Sequence, residues 1–62
     1  MIQSMIGVLV VDDEALVRKG LQTLLSNAKG INVIAEAATG AEAVALAQEK
    51  QPDVVLLDFQ WQ

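Results

Sequence analysis

Two uninterrupted apolar runs, each closing on a carboxylate, constrain this chain more than any other feature. Ile6 to Val11 leads into Asp12-Asp13-Glu14, and Val54 to Leu57 leads into Asp58. Short runs of Ile, Val and Leu without alternation suit strands covered on both faces, where neither side of the pleat meets water. Between them the period changes. From Ala15 onward Leu16, Val17, Leu21, Leu24, Leu25 and Ala28 recur at helical spacing, with Arg18, Lys19, Gln22 and Ser26 largely opposite, which predicts an amphipathic helix closed by Lys29-Gly30. Gly20, inside that helix, is expected to be a close-packing point, because glycine there costs about 1 kcal/mol relative to alanine. Ile31 to Ala37 alternates only loosely, with Asn32 and Glu36 interrupting it, as suits a strand near a sheet edge. Thr39-Gly40-Ala41-Glu42 reads as a capping box that opens a second helix. Ala43, Val44, Leu46 and Ala47 give this helix its apolar face, and Pro52 stops it after Gln51. Met1 to Met5 reads as a loose leader.

The order β-α-β-α-β with right-handed crossovers makes the sheet parallel and the fold class α/β. Orders 1-2-3 and 2-1-3 are both open to such a chain, and the polar-interrupted middle strand favours 2-1-3. That order puts the helices on opposite faces and opens a crevice between the carboxyl ends of strands one and three. A three-stranded sheet has one interior strand, whereas the first and third runs both read as interior. The expectation is therefore a partial domain over residues 1–62, a fragment or a subunit whose partner covers strand three.

Composition narrows the function classes. A 62-residue chain that is 53% hydrophobic with net charge −4 is globular rather than disordered and is not built to meet polyanions. It has neither cysteine nor histidine, so a bound metal must be hard and oxygen-ligated, and no disulfide supports the small core. No stretch is long and apolar enough to span a bilayer and no basic region precedes the first run, so neither a membrane helix nor a signal peptide is read, and a cytoplasmic location is expected.

Acids after strands are common as turn formers and N-caps, which accounts for Asp12-Asp13 taken alone. The combination is more specific. In the 2-1-3 order Asp12, Asp13 and Asp58 converge at one sheet edge, where like charges repel unless a cation binds them. A divalent-metal site is the expectation.

The segments VLVVDDEALVRKGLQTLL, INVIAEAATGAEAVALA and PDVVLLD together resemble the N-terminal half of the receiver domain of bacterial two-component response regulators, a flavodoxin-like (CheY-like) fold. ALVRKGL and AEAATGAEAV look most like the subfamily carrying a C-terminal LuxR-type helix-turn-helix. The resemblance implies that Asp58 is the phosphoacceptor for a histidine kinase, that Asp13 binds Mg²⁺ directly, that Asp12 holds it largely through water, and that the backbone carbonyl of Gln60 completes the ligands. It also implies a hydroxyl residue after a fourth strand and a lysine after a fifth, neither of which has a counterpart among these residues. Thr39 and Thr23 are read instead as an N-cap and a mid-helix residue, and Glu14 as a favourable charge in the first helical turn. After the acceptor, Trp61-Gln62 stands where family members commonly have a Met-Pro turn, and Trp61 is either a partner-facing anchor or a tail residue.

Two functions follow. One is a phosphoacceptor module of a transcription regulator. The other is a half-domain that self-associates with two-fold symmetry through strand three, burying Val54 to Leu57, and performs no chemistry. A metal-dependent phosphatase with an aspartyl nucleophile is disfavoured, since such enzymes need two acids two residues apart after the first strand and Asp12 and Asp13 are adjacent.

Overall fold

The computed structural model describes residues 5–58. Five elements follow in the order expected: β1 (Ile6–Asp12), α1 (Ala15–Ser26), β2 (Ile31–Ala37), α2 (Gly40–Lys50) and β3 (Val54–Asp58). The sheet has order β2-β1-β3 and both pairings are parallel. Among the described strands β1 alone is interior, and Leu9, Val10 and Val11 are completely buried. Leu9 and Val11 form a cluster with Ala37 and Ala43, against which Ala35, Leu46 and Ala47 pack. This is the α2 side of the sheet.

The interrupted pattern of β2 has the cause inferred from the sequence. It is an edge strand with Asn32 and Glu36 exposed. Its register with β1 shifts between Val8 and Leu9. Beside that shift Gly7 sits in a tight place, since a Cβ there would lie 3.3 Å from Ile34 Cδ1 and would require that side chain to give by a few tenths of an ångström.

Helix α1 differs from expectation in three ways. It ends at Ser26 with Asn27 as its cap, earlier than Lys29-Gly30 suggests. Gly30 does adopt φ +81, but it serves the turn into β2, where its carbonyl accepts the Ile6 N–H at 2.7 Å. The apolar face also divides. Val17, Leu21 and Leu25 are half-buried, while Leu16 and Leu24 remain 83% and 71% exposed. Successive helical residues are rotated by about 100°, so a sheet that takes one i, i+4, i+8 row leaves the adjoining row outside. Gly20 lies in that outer row, where a Cβ would meet no other element within 4 Å among the described residues, so the close packing expected of it is not found.

Helix α2 follows its sequence signals closely. Thr39 is the N-cap, its Oγ1 accepting the Glu42 N–H at 3.1 Å, and Glu42 Oε1 reaches back to the Ala38 N–H at 3.1 Å. Gln51 caps the other end in the left-handed conformation (φ 51) immediately before Pro52.

Strand β3 is joined to β1 at its start by two reciprocal bonds. The Gly7 N–H donates to Asp53 Oδ2 at 2.7 Å, and the Asp53 N–H donates to the Gly7 carbonyl at 2.8 Å. Its other edge has no partner among the described residues, and Val54, Val55 and Leu57 are exposed. An apolar strand with an open flank is the contradiction that the sequence implied.

Candidate functional site

The β1–β3 register places Asp12 and Asp58 as Cα partners at the carboxyl end of the sheet. The convergence expected of these positions is present in the backbone. Asp12 is the last residue of β1 rather than the first of the following turn, and it is only 3% exposed. A carboxylate this deep needs a donor, and Oδ1 accepts the backbone N–H of Glu14 at 2.8 Å. That bond turns the chain from strand into helix in the manner of an Asx turn. Asp13, one residue on, is exposed. The adjacent acids thus differ: one is built into the fold, and the other is free to meet a ligand.

Glu14 is the N-cap of α1, with extended backbone (φ −104, ψ 118) and no side-chain capping bond. It precedes the first turn instead of lying within it, a correction to the reading of it as a first-turn charge. Its carbonyl accepts the Arg18 N–H at 3.0 Å, the first bond of the helix.

Arg18 is the residue that sequence reasoning missed. Helical periodicity put it on the polar face of α1, yet its side chain is only 17% exposed. Nη1 donates to the Asp12 carbonyl at 2.7 Å, and Nε donates to Glu36 Oε1 at 3.2 Å. One guanidinium therefore ties α1 to the tips of both β1 and β2. The bond to Asp12 is charge-assisted and part-buried, whereas the Glu36 carboxylate is 42% exposed and that ion pair contributes little by itself. A basic residue one helical turn after an acidic strand end was the available signal.

Both threonines act within their own helices. Thr39 caps α2, and Thr23 Oγ1 donates back to the Lys19 carbonyl at 3.0 Å. Neither is a candidate for phosphoryl contact.

The donors named for a metal are Asp12, Asp13, Asp58 and the Gln60 carbonyl, all hard oxygens of the kind that suit Mg²⁺. Asp12 fits that chemistry: its carboxylate is held at the buried strand tip, with Oδ1 accepting the Glu14 N–H. Asp58 is placed here by backbone register alone, and Gln60 and Trp61 lie outside the described residues. Among the described residues, no three acidic side chains are grouped closely enough to hold an ion by themselves. No helix among them is long and apolar enough to cross a membrane.

A parallel 2-1-3 sheet with acids at the tips of β1 and β3 is the arrangement of a receiver, and comparison with known proteins agrees. The response regulator receiver domain model matches residues 8–62, and the chain belongs to that family. It is 48% identical over 54 residues to the response regulator GacA of Pseudomonas aeruginosa, covering 87% of this chain and 25% of GacA. It is 50% identical over 55 residues to the transcriptional regulatory protein LiaR of Bacillus subtilis, covering 89% of this chain and 26% of LiaR. The response regulator UvrY of Escherichia coli is 48% identical over 55 residues, with 89% and 25% covered. The chain thus spans about a quarter of the length of these relatives. Among solved structures, the signal receiver domain of the putative response regulator NarL from Mycobacterium tuberculosis superposes with TM-score 0.86 at 40% identity, over 92% of this chain and 46% of that one.

Proposed function

We propose that this chain contributes the phosphoacceptor of a two-component response regulator, as the first three strands and first two helices of a receiver. The observation that carries the reading is the parallel register that makes Asp12 and Asp58 neighbours across β1 and β3. In the reaction a carboxylate oxygen of Asp58 attacks the phosphorus of a phosphohistidine on a histidine kinase, or of a small phosphodonor. The P–N bond of the histidine, or the donor's scissile P–O bond, breaks and its electron pair leaves with the departing group; a new P–O bond makes an aspartyl phosphate. A Mg²⁺ ion, when bound, would supply neutralisation of the charge that builds on the transferring oxygens. Asp13, Asp12, Asp58 and the Gln60 carbonyl would hold it. Asp12 orients the strand tip through Glu14, and Arg18 secures the Asp12 carbonyl from behind.

Similarity to the curated relatives supports a setting in a transcription regulator with a C-terminal LuxR-type helix-turn-helix, and a cytoplasmic location goes with it. This segment makes no direct contact with nucleic acid in that reading, in keeping with its net charge of −4.

Phosphate incorporation from a kinase or a small acyl phosphate tests the assignment. The product is expected to be acid-stable and hydroxylamine-labile, and to vanish in Asp58→Ala. Undiminished labelling of Asp58→Ala would remove Asp58 from the role. Mg²⁺ binding is expected to weaken at least tenfold in Asp13→Ala, and an unchanged titration would exclude Asp13 as a ligand.

A second reading is favoured by the open flank of β3, where Val54, Val55 and Leu57 are exposed. In it, copies of the chain associate through paired β3 strands, most simply with two-fold symmetry. Sedimentation across a dilution series is expected to show a concentration-dependent dimer, and a folded monomer at every concentration contradicts it.

A further inference from the structure

Asp13, the exposed acid of the tip, lies between two peptide groups that are both held in place. On one side the Asp12 carbonyl accepts Arg18 Nη1 at 2.7 Å, and on the other the Glu14 N–H donates to Asp12 Oδ1 at 2.8 Å. Peptide groups are planar, so a residue can turn only about φ and ψ. Holding the plane on each side of the Asp13 Cα therefore fixes both angles, and with them the direction in which its carboxylate leaves the backbone. The Arg18 N–H donates in turn to the Glu14 carbonyl at 3.0 Å, which closes a ring of contacts through residues 12, 14 and 18 around Asp13.

The ring is only as firm as the guanidinium that completes it. A long side chain anchored through one nitrogen keeps much of its rotamer freedom, whereas a planar fork held at two nitrogens does not. The second anchor is Glu36, whose Oε1 accepts Arg18 Nε at 3.2 Å. Parallel pairing sets Glu36 opposite Val10, two residues before the buried Asp12, so the edge strand delivers its carboxylate to the back of the tip. The ion pair is exposed enough to add little to folding. Its geometry still decides which way the fork points.

We propose that Glu36, acting through Arg18, is a positioning residue for Asp13: it fixes the guanidinium that fixes the peptide preceding Asp13, and so presents that carboxylate ready-oriented to a divalent cation. Ordering left until an ion arrives subtracts from its affinity, and ordering done beforehand does not. The proposal rests on the reading of Asp13 as a metal ligand, but the clamp itself can be measured with no metal present.

Amide nitrogen relaxation of the metal-free 62-residue chain reads the clamp directly. The Asp13 N–H order parameter is expected near the rigid value of about 0.85 in the parent and at about 0.6 or below in Glu36→Ala. Mg²⁺ affinity, followed by amide shifts, should fall about threefold to tenfold in Glu36→Ala, less than the tenfold or more usual for a residue that touches a ligand directly. Glu36→Gln loses the charge but keeps an oxygen for Nε, and should bring the affinity back to within about twofold of the parent and restore the order parameter. Glu49→Ala removes the same charge near the far end of α2 and should alter neither readout. Arg18→Met is expected to loosen Asp13 further; because it also costs stability, Glu36→Ala is the deciding variant. An Asp13 order parameter unmoved by Glu36→Ala, or Glu36→Gln and Glu36→Ala of equal effect, would overturn the proposal. Asp13→Ala separates the two claims. If it loses Mg²⁺ while Glu36→Ala binds as the parent does, positioning alone fails; if it binds as the parent does, the ligand assignment fails and takes the proposal with it.

Discussion

At the residue scale, the site depends on a cation that periodicity assigns to solvent. Arg18 donates to the carbonyl at the end of β1 and to the Glu36 carboxylate on β2, and so fixes the base of the acidic tip. Arg18→Met is expected to cost about 1.5–3 kcal/mol of stability, the range for a hydrogen bond from a charged group to a part-buried acceptor. Lysine at this position should recover less than half, since a single ammonium cannot reproduce the forked geometry. Urea titration of the three proteins decides it, and equal midpoints would mean the guanidinium only decorates the surface. Thr39 was legible from the chain because its capping bond closes within four residues. The Asp12 carbonyl lies within reach of Arg18 along the chain, but Glu36 is brought to it by the pairing of β2 with β1, and Asp12 gained its burial from the central position of β1. No local pattern announces the Glu36 contact or the burial of Asp12.

At the element scale, β1 and β3 were readable as unbroken apolar runs, and the helices where a period of 3.6 had one dominant face. β2 was recognised as an edge by Asn32 and Glu36, and the 2-1-3 order followed from it. The end of α1 was less legible, because Asn27 closes the helix before the glycine that signals the turn. Its apolar residues also span two rows, and composition alone does not say which row meets the sheet. The anchoring of β3 was not foreseen at all. Asp53 immediately precedes the apolar run of β3, and its carboxylate accepts the Gly7 N–H across the pair. Asp53→Ala is expected to speed amide exchange at Gly7 and through Val55–Leu57 by about tenfold or less, the bond being exposed, while β2 keeps its protection. Uniform loss of protection throughout the sheet would show instead that β3 does not open as a separate unit.

At the scale of the whole molecule, β3 pairs with β1 along one flank, has no second strand partner among the described residues, and carries the candidate phosphoacceptor at its end. Any event that immobilises the strand reduces the ordering still required of the other. Ion capture at the tip and association along the flank are therefore expected to be coupled, and equilibrium binding makes the coupling reciprocal. Mg²⁺ titrations of the chain at high dilution and at concentrations where copies associate would measure it. The affinity ratio should equal the factor by which Mg²⁺ tightens association, on the order of fivefold or more. Identical ion affinity in both samples would show that tip and flank respond independently. With such coupling, a short strand fastened at its foot by Asp53 serves as a coincidence detector, in which the arrival of a metal ion and the arrival of a companion chain each raise the occupancy of the other.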